Sequence, residues 1–199
     1  MAISETVLIL AGGTAALSGL FGIRVAMRAA PPPVGSEAPA EGTASPLDVA
    51  GVIALPPLIF LGFLATAALL EAVVPLPVLA APVFSRYLAG AALAVVGFVV
   101  MSMAAGRFQA AGTNIPPNLP TTALVVDGIY RRTRNPLYLA MILVYLGLSV
   151  AAGSFWAIGL VVPLVWVINT GVIAREERYL ERKFGGAYRA YKARVRRWV

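Results

Sequence analysis

Arg134-Asn135-Pro136 stands where a basic stretch meets a long apolar run, and Glu176-Glu177 follows where that run ends. Asparagine is a favoured N-cap and proline a favoured first helical residue, so a helix is expected to begin here. Its unpaired N–H groups and positive dipole end, with the Arg134 fork beside them, suit a carboxylate or phosphate. Adjacent glutamates on a helix point about 100° apart, so one is expected to face the bundle and the other solvent, where Arg178 and Arg182 are available. If the helix that carries them returns beside the helix that begins at Asn135, a glutamate lands near Arg134. A cation and an anion so placed would grip a small zwitterion.

The chain has neither cysteine nor histidine and only nine carboxylates. Thiolate nucleophiles, disulfides, serine–histidine hydrolysis and histidine-ligated metals are therefore excluded. Any catalysis must work by binding and positioning, or borrow reactivity from a soluble cofactor.

These residues are carried by an apolar scaffold. Hydrophobic residues make up 59% of the 199, charged residues 13%, and mean hydropathy is +0.83. Uncharged stretches at 6–23, 49–70, 87–106 and 135–174 are each long enough to cross a hydrocarbon core. The last is twice one span, and Gly153-Ser154 divides it into a hairpin of 137–152 and 155–173, with Ser154 as the second cap. The expected fold is all-α, a polytopic integral membrane protein of about five spans with a C-terminal cytosolic or interfacial helical segment. Residues 1–106 form an N-terminal part with a Pro-rich linker at 29–47, and 107–199 a second part that holds the candidate residues.

Within the first part, Thr6–Ile23 lacks a basic segment before its apolar run and reads as a retained helix rather than a signal peptide. Pro56-Pro57 is expected to kink the second span, and Pro75, Pro77 and Pro82 to keep 72–85 as a connection or a short re-entrant piece. Gly90, Ala91, Ala94 and Gly97 are spaced to let a neighbouring helix approach the third span. Four basic residues lie in the 106–134 loop, nine from Arg175 onwards and two in the 24–48 linker. An external N-terminus puts all of these on the cytoplasmic side and only Arg86 outside, as the positive-inside rule asks.

The net charge of +7 is concentrated next to the spans, which argues for membrane lipids as partners and against nucleic acid. In the tail, Gly185-Gly186 is expected to end one helix. Tyr188, Tyr191, Val195 and Trp198 then form the apolar side of an amphipathic helix on an anionic leaflet, with Arg189, Lys192, Arg194, Arg196 and Arg197 between them.

The order Gly128-x-Tyr130, Arg134-Asn135-Pro136-x-Tyr138, hairpin, Arg175-Glu176-Glu177-x-x-Leu180, Phe184-Gly185, Tyr188-x-x-Tyr191 and Val195-x-Arg197-Trp198 resembles the isoprenylcysteine carboxyl methyltransferase and phospholipid methyltransferase-like membrane enzymes. The resemblance covers roughly 107–199. It implies S-adenosylmethionine as cofactor, held on the cytosolic side under the C-terminal segment, and a lipid-like or prenylated acceptor from the bilayer. The family's arginine corresponds to Arg134, its paired glutamates to Glu176 and Glu177, and its proline and tyrosine to Pro136 and Tyr138. Gly128, Tyr130 and Asn135 complete the implied cofactor-binding set, with Arg134 and Glu177 in the catalytic role.

Many members have histidine where this chain has Asn135, so this position cannot serve as a base. Arg134 and the helix N-terminus would take the cofactor's carboxylate, and Glu176 or Glu177 its ammonium. Leu124-Val125-Val126 would wall the adenine. With no histidine to accept a proton, a carboxylate acceptor is slightly favoured over an amine. An NADPH-dependent membrane reductase of the steroid-reductase kind and a non-catalytic lipid-binding adaptor are the competing classes; no glycine-rich dinucleotide fingerprint is present. The composition also suggests a prokaryotic cell membrane.

Overall fold

The computed structural model describes residues 5–12 and 48–199. These residues are all-helical, without strands: α1 (Pro56–Val73), α2 (Val83–Ala110), a 3-10 turn (Gly128–Arg131), α3 (Pro136–Ala152), α4 (Phe155–Gly159), α5 (Val161–Val167), a π-helical segment (Ile168–Ile173) and α6 (Ala174–Arg194). Residues 5–12 are also helical; the rest of the expected Thr6–Ile23 span and the 29–47 linker lie outside the described residues. Three helical runs, Pro56–Val73, Val83–Ala110 and Phe155–Arg194, are long and apolar enough to cross a membrane, and α3 is a shorter apolar helix.

Several boundaries follow local rules. Pro56-Pro57 opens α1 rather than kinking a longer helix, because proline suits the first turn, where its missing N–H has no partner to lose. Residues 74–82 connect α1 to α2, and α2 exceeds the expected third span at both ends. Gly153 closes α3 in the left-handed region at φ 66°, and Ser154 caps α4 by accepting a hydrogen bond from Ala157 N–H at 3.2 Å. Pro163 cannot donate to Gly159 C=O, which accounts for the interruption between α4 and α5.

Close packing of α2 against α3 rests on small residues. A Cβ on Gly90 would lie 2.5 Å from Gly147 O, and one on Gly97 would lie 2.9 Å from Ala140 O. The backbones therefore touch, as the small-residue spacing of the third span implies. A core of Phe60, Leu64, Tyr138, Tyr145, Leu164 and Ile168 joins α1, α3 and the last helical run. Leu58, Leu69, Phe84, Leu88, Phe98, Val99 and Trp166 point outward, an apolar perimeter suited to lipid.

The last helix breaks at Gly185, whose φ of 51° and ψ of −120° admit glycine and little else. Beyond the break, the aromatics face the protein instead of a leaflet. Tyr188 and Tyr191 are buried, and the Tyr191 hydroxyl donates to Tyr130 C=O at 2.8 Å. The amphipathic expectation is corrected twice: the helix ends at Arg194, so Val195 and Trp198 lie beyond it, and protein surface rather than a leaflet takes up Tyr188 and Tyr191.

Candidate functional site

Arg134 sits immediately before α3, and Glu177 lies one turn into α6. The approach of these two elements brings Arg134 Nη2 to 2.9 Å from Glu177 Oε1. Both side chains are enclosed, at 10% and 8% exposure. Arg197 completes the cluster from the tail, its Nε 3.1 Å from Glu177 Oε1 and its Nη2 2.5 Å from Glu177 Oε2. Two guanidinium groups thus bracket one carboxylate and leave one net positive charge. Burying such charges is tolerable only with this degree of pairing.

Glu176 also points inward. The Tyr138 hydroxyl donates to its Oε1 at 2.6 Å. The expectation that one glutamate faces solvent is therefore corrected: both face the chain around the start of α3, on different partners. Arg178 and Arg182 are the exposed residues instead. The π-helical segment just before α6 supplies a physical reason, since one extra residue in a turn rotates the downstream residues by about 100° relative to an uninterrupted α-helix.

Glu176 lies beyond the uncharged span. As a residue it is only partly buried, yet its carboxyl is deeply desolvated beside buried Tyr138. Desolvation pushes it up from the ordinary carboxylate range to about 7; the Tyr138 hydrogen bond opposes this and the Glu177 charge adds to it. The chain thus has a group that titrates near neutrality without a histidine.

Asn135 occupies the N-cap position of α3, but its side chain does not cap the helix. Its Nδ2 instead donates to Arg197 C=O at 3.0 Å, where the tail returns alongside. Thr133, fully buried, accepts from Asn135 N–H at 3.2 Å and donates to the same Arg197 carbonyl. Arg134 N–H donates to Arg196 C=O at 3.0 Å, and Arg134 Nη1 to Lys192 C=O at 3.1 Å. Trp198 Nε1 reaches Asn169 Oδ1 at 3.2 Å. The tail is therefore stitched to the start of α3 and to the π-helical segment.

The remaining candidates divide. Pro136 is buried as the first residue of α3. Tyr130 is buried under Tyr191, and burial raises its phenol above the ordinary range. Gly128 instead turns the chain at φ 57° against Arg107, which pairs with Asp127 at 3.2 Å. Val125 packs with Ala104 and Tyr130 in a small second core, while Val126 is exposed, so packing accounts for the expected adenine wall. Thr133 and Arg197 were missed as partners of the site. The Val195-x-Arg197-Trp198 motif marked the tail without indicating what its guanidinium would meet.

Two buried polar atoms have no partner among the described residues at this site: Arg134 Nε and the Tyr130 hydroxyl. Such groups cost about 1–3 kcal/mol each when left unsatisfied. A donor edge and a hydroxyl held in reserve beside an acidic pair are what a small polar ligand would use.

Comparison with known proteins points to a family. A family model described as phospholipid methyltransferase matches residues 85–187. A protein of Haemophilus influenzae, described as uncharacterized, is 46% identical over 63 residues, which are 32% of this chain and all of that protein. The protein-S-isoprenylcysteine O-methyltransferase of Schizosaccharomyces pombe is 35% identical over 72 residues, covering 36% of this chain and 30% of that enzyme. No solved structure matches. The family match spans α2, the 3-10 turn, the hairpin and the first part of α6, which together hold Arg134, Tyr138, Glu176 and Glu177. The chain belongs to the phospholipid methyltransferase family of membrane proteins.

Proposed function

We propose that this protein is an S-adenosylmethionine-dependent methyltransferase that modifies a lipid-like or prenylated acceptor at the membrane surface. The observation that carries the reading is the convergence of Arg134, Glu177, Glu176 and Tyr138 on one enclosed cluster, with Arg134 Nε and the Tyr130 hydroxyl unpartnered among the described residues. When bound, the cofactor supplies a methyl group on a sulfonium, ready for in-line displacement.

The residues fit its amino-acid end. Arg134 offers its unpartnered Nε to a carboxylate, and Glu177 takes an ammonium when Arg197, the more exposed of its two partners, moves aside. Enclosure by the tail excludes water and fixes orientation, which methyl transfer needs more than acid–base assistance. The site lies with the 106–134 loop and the tail at the cytoplasmic end in the proposed orientation, with the N-terminus outside a prokaryotic cell membrane.

A lipid-like carboxylate is ionised near neutral pH and needs only positioning, and it is the acceptor proposed first. Glu176 gives a specific reason for a second reading, an amine acceptor: its carboxyl, titrating at about 7, can take the proton an amine must lose. The discriminating experiment is methyl transfer from labelled cofactor to isoprenylated-cysteine carboxylates and to phosphatidylethanolamine, with NADPH oxidation measured in parallel. Label in either lipid supports the reading and assigns the acceptor. Nicotinamide oxidation without methyl transfer favours the reductase, and neither activity favours the adaptor.

A further inference from the structure

Arg86 stands apart from the other basic residues of the described chain. It lies in the first turn of α2, whereas the cationic loop, the Arg134 site and the tail gather around the opposite end of that helix. It is also enclosed, at 8% exposure. A buried arginine at the end of a membrane bundle that otherwise avoids positive charge is costly unless it does something there.

Part of its role is structural. Arg86 Nη1 donates to Ala152 C=O at 3.3 Å, satisfying a carbonyl at the end of α3. The guanidinium packs on Gly153, where a Cβ would lie 1.9 Å from Nη1. That leaves Arg86 Nε, buried and without a partner among the described residues. The side chain lines a cavity of about 130 Å³ with Glu5, Thr6, Ile9, Val78 and Ala152. Glu5 and Val78 are exposed; Glu5 accepts from the Tyr87 hydroxyl, and Thr6 donates to Ala152 C=O at 3.3 Å. Glu71 accepts from the Ser154 hydroxyl at 2.9 Å, and among the described residues it forms no ion pair with Arg86.

The cavity therefore offers a guanidinium edge within and a carboxylate on its exposed side. It is too small for a whole drug-sized molecule, which takes roughly 300 Å³ or more. We propose that it binds the phosphate-and-amine headgroup of a zwitterionic phospholipid, the phosphate on Arg86 and the ammonium on Glu5. This is a second lipid site, at the end of the bundle opposite Arg134 and Glu177. The chains of the lipid would remain in the bilayer beside the outward-facing apolar residues.

The test uses the full chain, delipidated in detergent, with thermal melting followed as ligand is added. The ligands are short-chain phosphatidylethanolamine, short-chain phosphatidylglycerol and soluble phosphoethanolamine. The ethanolamine lipid is expected to bind about tenfold more tightly than the glycerol lipid, which has phosphate but no ammonium. Glu5→Gln should abolish that tenfold preference while leaving phosphatidylglycerol binding and methyl transfer unchanged. Arg86→Lys should weaken both lipids, and the exposed Glu5→Gln variant keeps the test decisive if Arg86→Lys fails to fold. Equal binding of soluble phosphoethanolamine supports the same pair of contacts and assigns a free phosphoester as the ligand. Absence of any shift in the wild type, or an ethanolamine preference that survives Glu5→Gln, overturns the proposal.

Discussion

Arg134 and Glu177 are 43 positions apart in the chain and meet at 2.9 Å, each nearly closed off from solvent. Their pairing ties the start of α3 to α6. It also presets the charges that a zwitterionic ligand would engage.

Arg197 competes for the same carboxylate. Replacing it with glutamine should lower stability by about 1–2 kcal/mol, because Glu177 keeps Arg134 and because Arg197 is partly exposed. Cofactor affinity should not weaken, since Glu177 is then more available to an ammonium. Melting curves and cofactor titration on the same variant check both halves; a loss of affinity larger than tenfold would count against the role given to Arg197.

Glu176 predicts an unusual pH dependence. Its folded-state carboxyl holds its proton up to about 7 while the unfolded chain releases it near 4.5. The native state therefore binds more protons between these values, and stability falls as pH rises through that window, by roughly 3 kcal/mol at most. Glu176→Gln should flatten the profile and raise the melting temperature at pH 8. Melting across pH 5 to 8 in one detergent is the check.

Tyr138 opposes that shift by donating to Glu176. Tyr138→Phe should move the Glu176 midpoint further up. If the acceptor is an amine, the activity–pH profile should move with it; a carboxylate acceptor should show no such displacement.

Gly90 tests the α2–α3 contact. Gly90→Ala places a methyl group 2.5 Å from a backbone oxygen, which cannot retreat as a side chain would. The helices must separate, at a cost of about 1–3 kcal/mol. Gly106→Ala, where nothing lies within 4 Å, is the control and should be close to neutral.

Much of this arrangement was legible in local chemistry. Gly153 and Ser154 announced the hairpin because helix caps are written in one or two residues. The spacing of Gly90 and Gly97 announced a close helix neighbour, and Arg134 with the Glu176-Glu177 pair announced a charge pair once the hairpin returned the chain, though not which glutamate would make it. The features that escaped depend on distant docking. Asn135 has the chemistry of a cap, but its amide donates to the Arg197 carbonyl instead. Glu176 and Glu177 both turn inward after a π-helical segment that no residue pattern marks. Tyr188 and Tyr191 have the period of a membrane-surface helix, and periodicity alone does not distinguish lipid from protein as the apolar partner.

The most direct test is calorimetric titration of S-adenosylmethionine into the wild-type protein, Arg134→Ala and Glu177→Gln, each verified as folded by its melting curve. Saturable one-to-one binding to the wild type, at least tenfold weaker in both variants, is predicted. Wild-type affinity in both folded variants would contradict the claim that this charge pair holds the cofactor.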